Sequence, residues 1–157
     1  LMPELIRDNR EITLFIAGSG PQKQELELLV AKMGLNDCVK FLGPVSHADL
    51  LRYFKAADIF VLATAYEGFS HTILEAMAMG TMVITSNIGG NPELVEHGSN
   101  GFLFRLDDRV NIIQTIQNVF ALPEDKKNAV RQTAIASASC YTQERMISAT
   151  AHFLLSL

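Results

Sequence analysis

The sequence predicts an α/β protein: a parallel sheet of about five strands, helices on both faces, and a helical C-terminus. Three observations predict it. Short β-rich runs such as residues 12–17 (ITLFIA) and 82–85 (MVIT) carry no polar alternation, which marks strands of a buried parallel sheet. Segments with apolar residues at helical spacing alternate with these runs, and a strand that returns parallel to its neighbour needs such a crossover. After Phe104 the strand pattern stops and only helical segments follow.

Taken in order, residues 3–10 read as the end of a helix, and residues 12–17 as the first buried strand, closed by Gly18-Ser19-Gly20-Pro21. In QKQELELLVAKMG, Leu26, Leu29, Val30 and Met33 fall at helical spacing, with Gly34 as the C-cap. Residues 39–42 are the second strand, ended by Gly43-Pro44. Ser46 with Asp49 three residues later predicts a capping box opening a helix through Ala56. Residues 59–63 are the third strand, buried like the first; a loop with Glu67, Gly68 and Phe69 follows, and a helix opens at His71 or Thr72 and stops at Gly80. Residues 82–85 are the fourth strand. Residues 91–95 read as a short helix with Pro92 in its first turn, 97–101 as a turn, and 101–104 as the last strand. Asp107-Asp108 can cap a helix to Leu122, and Pro123 starts the next, with Glu124 and Asp125 where the helix dipole favours acids. Thr142 can cap a final helix ending in AHFLLSL.

The 157 residues suit one domain with a sizeable core, and 48% hydrophobic against 19% charged residues argues against disorder. A net charge of −4 leaves no footprint for nucleic acid or an anionic membrane. No apolar run approaches the roughly 18–20 residues that span a bilayer, and the N-terminus lacks the apolar stretch of a signal peptide. A chain beginning at Leu1 is expected to be a piece of something longer or processed. Cys38 and Cys140 are read as reduced thiols in a cytoplasmic protein.

The chemistry concentrates between Ala57 and Gly90. Gly18-Ser19-Gly20, between a strand and a helix, invites a dinucleotide fingerprint, but the third glycine is replaced by Lys23 and no acidic residue ends the next strand. These glycines still allow close backbone approach to a ligand. Glu67 and Glu75 form the sharper pair. Were the whole stretch helical they would stand about 12 Å apart along the axis, too far to share a group. With Glu67 in the loop and Glu75 early in the helix, they can flank a helix N-terminus, whose N–H groups attract an anion such as a diphosphate. A carboxylate accepts two hydroxyl bonds at once, which suits a sugar diol. The competing reading makes Thr72-Ile73-Leu74-Glu75 a capping box, and Glu67 an exposed loop carboxylate. His71 can be an acid–base group or a surface histidine; His47, His97 and His152, without ligand spacing, are structural. Asp107-Asp108 reads as a cap rather than a metal pair, and Asp58 as structural.

The run Glu67-Gly68-Phe69-Ser70-His71-Thr72-Ile73-Leu74-Glu75, with Ala76 to Gly80 trailing it, resembles the E-x7-E motif of the family 4 (group 1) retaining glycosyltransferases. IAGSGP, VKFLGPVS, AADIFVLAT and GGNPELVEHGSNGFLF are similar to that family as well, and Cys140-Tyr141-Thr142 falls where such domains begin their last helix. The resemblance implies a Rossmann-like donor-binding domain of a two-domain GT-B enzyme, spanning residues 1–157, with its first strand and the acceptor-binding N-terminal domain missing. It implies that Glu67 is catalytic and binds donor-sugar hydroxyls, and that Glu75 holds the ribose. Backbone N–H groups of Phe69, Ser70 and His71, beside Gly68, would meet the sugar, and those of Thr72 and Ile73 the diphosphate. Gly18, Ser19 and Gly20 would approach the nucleotide, and Gly43, Pro44 and Val45 the base. The implied partners are a nucleoside diphosphate sugar and the N-terminal acceptor domain, with no nucleic acid, and with membrane association only through the missing domain.

No cofactor and no metal are implied, because cationic side chains and a helix N-terminus stabilise the leaving diphosphate. The family's arginine and lysine for that task would precede Leu1, and Lys23, Lys40 and Arg52 do not match their place. The isolated chain is therefore expected to have weak or no transferase activity. The alternatives are an epimerase-like enzyme acting on the same donors, and a non-catalytic binding module on a Rossmann-like scaffold.

Overall fold

The computed structural model describes residues 1–7, 11–66 and 68–141. Residues 8–10 of the expected first helix, Glu67, and the final helix expected from Thr142 lie outside the described residues. The described chain divides into two compact units, Leu1–Leu50 and Leu51–Leu157.

The first unit opens with α1 (Met2–Ile6), then β1 (Leu14–Ala17), α2 (Lys23–Lys32) and β2 (Val39–Gly43). β1 and β2 pair in parallel, Leu14 opposite Val39 and Ile16 opposite Phe41, with a register shift between Ile16 and Ala17. Helix α3 (His47–Ala56) begins here. Its expected capping box is present: the Asp49 N–H donates to Ser46 Oγ at 3.2 Å, and Ser46 Oγ donates to the Asp49 carboxylate at 2.7 Å. Two expectations change. β1 is not buried throughout, since Phe15 is 53% exposed, and α2 buries none of its residues. The apolar spacing located the helix correctly; two paired strands present too little sheet to cover it.

The second unit holds β3 (Ile59–Leu62), α4 (His71–Ala78), β4 (Met82–Ser86), α5 (Asn91–Leu94), β5 (Phe102–Phe104), α6 (Arg109–Ala121) and α7 (Glu124–Ser139). Its strands pair in parallel in the order β3-β4-β5, Leu62 opposite Thr85 and Ile84 opposite Phe102. β4, in the centre, is buried at every position, so both of its faces are covered. β3 flanks it and is only partly buried, with Val61 exposed, which corrects the fully buried strand expected from its composition. The core gathers Ile73, Met77, Val83, Ile84, Phe104, Val119 and Ala134 from α4, β4, β5, α6 and α7. The described residues thus hold five strands, about the number expected, as a parallel pair in the first unit and a parallel trio in the second, with helices between successive strands.

Asp108 caps α6, its Oδ1 accepting the Asn111 N–H at 2.9 Å while its other oxygen pairs with Arg105. The Asn111 N–H first, and the Arg105 guanidinium second, hold its carboxyl below the ordinary 3.8. A depressed carboxyl contributes stability above its unfolded pKa and loses it as pH falls through the folded value. Asp108→Ala is therefore expected to lower the melting temperature at pH 7, and the gap to wild type should shrink progressively below pH ~4. Thermal melts across pH 2–7 check this; a gap constant down to pH ~2 would exclude the charged cap as its cause.

His97, expected to be structural, is so: its Nδ1 accepts the Leu103 N–H at 3.1 Å, and the Gly98 N–H donates to the Gly101 carbonyl at 2.8 Å across the turn.

Candidate functional site

The predicted site residues fall into two sets, one in each unit. In the first unit, the loops after β1 and β2 meet. The Gly18 N–H donates to the Gly43 carbonyl at 2.8 Å, joining Gly18-Ser19-Gly20 to Gly43-Pro44-Val45 at the C-terminal ends of adjacent parallel strands. That edge is where open α/β sheets bind ligands. Gly18 has φ +124°, a conformation that side chains beyond glycine rarely adopt. A cavity of about 170 Å³ opens beside it, lined by Gly18, Gly20, Gln22, Lys23 and Phe41 among others.

In the second unit, α4 begins at the C-terminal end of β3, and its start differs from the capping-box reading. The N-cap is Ser70, which is buried, with Oγ accepting the Ile73 N–H at 3.4 Å. Thr72 is already the second helical residue and Glu75 the fifth. A capping box needs its acid at the third helical position, which Ile73 occupies. Glu75 is therefore not a capping-box acid; it lies half-buried, early in the helix, one turn beyond the cap. The Ile73 N–H, expected to face a ligand, is engaged by Ser70 here, whereas the N–H groups of His71 and Thr72 make no hydrogen bond among the described residues. The Ile73 side chain is wholly buried, so only its backbone is placed for chemistry.

Gly68 and Phe69 precede the cap, and the backbone of Gly90 is pressed against them. A Cβ on Gly90 would fall 1.7 Å from the Gly68 carbonyl oxygen and 2.8 Å from its carbon. Gly90 itself has φ −80° and ψ −4°, which any residue adopts, so the glycine is required for space and not for conformation.

Sequence reasoning missed the polar layer behind this loop. Thr85 Oγ1 donates to the Leu62 carbonyl at 2.9 Å, and Ser86 Oγ to the Thr64 carbonyl at 2.7 Å. Both hydroxyls, with the Ser86 carbonyl, accept from Asn91 Nδ2 at 3.0–3.3 Å. Thr64 Oγ1 then donates to the Tyr66 carbonyl at 2.8 Å and accepts the Tyr66 N–H at 3.3 Å. A chain of bonds thus runs from wholly buried Asn91 at α5, through the end of β4, to the residue before position 67. The available signal was two hydroxyls, Thr85-Ser86, closing an apolar strand. Glu67, expected to be catalytic, lies outside the described residues.

Among the described residues, no three His, Cys, Asp or Glu side chains are grouped to hold a metal ion, and no helix is long and apolar enough to cross a membrane.

Comparison with known proteins places this arrangement. Residues 1–136 match the family model described as glycosyl transferases group 1. The D-inositol 3-phosphate glycosyltransferase of Streptomyces avermitilis is 33% identical over 136 residues, covering 86% of this chain and 29% of the relative. The glycogen synthase of Mycobacterium tuberculosis is 32% identical over 154 residues, covering 98% of this chain and 37% of the relative. The crystal structure of Anabaena HepE in complex with UDP-glucose superposes with a TM-score of 0.80 at 30% identity, covering 98% of this chain and 45% of that one. The chain spans less than half the length of each of these proteins. With more than half of its residues matched to the family model, the chain belongs to the group 1 glycosyltransferases.

Proposed function

We propose that these 157 residues form one donor-binding domain of a retaining GT-B glycosyltransferase, which moves a sugar from a nucleoside diphosphate sugar to a saccharide or lipid acceptor. The observation that carries this reading is the start of α4. Ser70 caps the Ile73 N–H, the His71 and Thr72 N–H groups lie in the same first turn just before it, and Glu75 stands one turn in. Such an N-terminus attracts the negative charge of a diphosphate. As the glycosidic bond breaks, charge builds on that diphosphate, and donors already aimed at it stabilise the transition state. The Glu75 carboxylate can accept from both ribose hydroxyls, a charge-assisted pair.

Glu67 would bind donor-sugar hydroxyls, beside the backbone N–H groups of Phe69, Ser70 and His71. Thr72 serves the diphosphate, and Ile73 joins it once a ligand oxygen replaces Ser70 Oγ. In the first unit, Gly18, Ser19 and Gly20 would meet the nucleotide and Gly43, Pro44 and Val45 its base. The UDP-glucose bound by the similar Anabaena protein supports a nucleotide sugar as the donor class. The acceptor surface and further cations would come from the remainder of a longer protein, acting in the cytoplasm or at the membrane's cytoplasmic face. No metal is needed in this scheme.

The test is a calorimetric screen of UDP-, GDP- and ADP-sugars against wild type and Glu75→Ala. A charge-assisted hydrogen bond contributes about 1.5–3 kcal/mol, so Glu75→Ala should bind the preferred donor roughly 10- to 100-fold more weakly. Unchanged affinity would remove Glu75 from the site. On the full-length enzyme, NMR of the product anomer tests retention, and an inverted anomer refutes it.

A further inference from the structure

The loop that precedes α4 is held on a second side. Tyr141 follows α7, whose C-cap is Cys140. Its ring centroid lies 5.6 Å from that of Phe69, tilted by 57°. The Phe69 ring in turn meets the His71 imidazole edge-on at 5.8 Å and 76°. The Tyr141 hydroxyl donates to the Glu93 carbonyl of α5 at 3.3 Å. Tyr141 thus joins the end of α7, the short helix α5 and the loop carrying Gly68, Phe69 and Ser70.

The base from which Tyr141 reaches is well fixed. Val130 and Ala134 of α7 are buried, and Ser137 Oγ is bonded to Asn100 Nδ2 at 3.1 Å. Ile135 packs close to Gly80, where an added Cβ would stand 3.3 Å from its Cδ1. Phe69, by contrast, stands on a loop with Gly68 exposed before it and with the Gly90 backbone lying against the Gly68 peptide. A ring on Phe69 that is free to swing would turn the Phe69 and Ser70 peptides with it. The neighbouring Tyr141 ring is the contact that opposes this from the side of α7.

We infer that Tyr141 is a positioning residue: through Phe69 it sets the backbone N–H groups that receive the sugar, while the nucleotide part of the donor is held without it. This rests on the reading of α4 and its preceding loop as a donor site. An aromatic pair is worth enough to matter, since its loss corresponds to roughly a three- to tenfold change in an equilibrium. Tyr141 is 37% exposed, so its truncation removes little core.

The experiment compares wild type, Tyr141→Ala and Tyr141→Phe. Calorimetry measures UDP-, GDP- and ADP-glucose, each against its own free diphosphate. Tyr141→Ala is expected to weaken the preferred sugar nucleotide about three- to tenfold and leave the free diphosphate within about twofold, and Tyr141→Phe to restore wild-type binding because the ring suffices. Equal losses for both ligands, no loss for either, or Tyr141→Phe behaving like Tyr141→Ala each overturn the inference. Amide and imidazole NMR shifts of the free chain supply a ligand-independent readout. Shifts in Tyr141→Ala centred on residues 68–71 support the positioning role, and their absence overturns it. Failure of the donor-site reading is distinct: wild type then binds none of the sugar nucleotides, while the shifts still decide whether Tyr141 sets the loop.

Discussion

Gly90→Ala is expected to damage both stability and ligand binding, more than any other single methyl added to the second unit's site. The added carbon would lie 1.7 Å from the Gly68 carbonyl oxygen, far inside contact distance, and the obstacle is backbone that no rotamer change can move. Overpacking of this kind costs about 1–3 kcal/mol, because the loop or α5 must shift. The shift falls on the peptides that lead into the Ser70 cap, where a displacement of about 1 Å can cost on the order of 100-fold in function. Chemical denaturation should therefore register a modest loss, and calorimetry with the preferred sugar nucleotide a much larger one. Gly68→Ala is the informative comparison: an added Cβ there meets nothing within 4 Å, and the loss of stability should be small. Equal stability and binding for Gly90→Ala and wild type would show that the loop yields freely at no cost.

Asn91→Ala carries the second large effect. The Asn91 side chain is wholly buried, and its Nδ2 serves Thr85 Oγ1, Ser86 Oγ and the Ser86 carbonyl. Its removal strands a buried carbonyl and leaves a small cavity, a loss of about 2–3 kcal/mol by urea denaturation. Asn91→Asp should be at least as harmful despite its near-identical shape. Asn91 Oδ1 already lies buried with no partner among the described residues, and a second acceptor in place of Nδ2 would confront the Ser86 carbonyl. The Thr85 and Ser86 hydroxyls could donate to the new carboxylate only by abandoning the Leu62 and Thr64 carbonyls. If Asn91→Asp proves milder than Asn91→Ala, this account of the network is wrong.

Much of the fold was legible because local signals agreed with it. The apolar runs of β1 to β5, the Ser46–Asp49 capping box, Pro92 in the first turn of α5 and Asp108 before α6 each express a preference that a short segment satisfies by itself. Burial was less legible. The runs that became β1 and β4 look alike, yet Phe15 is exposed and β4 is closed on all sides. Hydrophobic composition states what a strand can bury, and its neighbours decide what it does bury.

The start of α4 marks the same boundary within the site. Ser70 and Thr72 are both competent caps, and the spacing to Glu75 favoured the wrong one. Ser70 prevails with its backbone extended at φ −83° and ψ 102°, so that Ile73, Leu74, Ala76 and Met77 face the core. That choice of register puts Glu75 two residues beyond the capping-box position. By itself, then, the sequence determined the order of strands and helices, the family, and the short stretch in which the chemistry lies, since each is written in contiguous residues. Only the tertiary structure decided which residue caps α4, why Gly90 must be glycine, and that Asn91 and Tyr141 stand behind the loop. The Gly90–Gly68 and Tyr141–Phe69 contacts join positions 22 and 72 residues apart, and no local periodicity encodes such a distance.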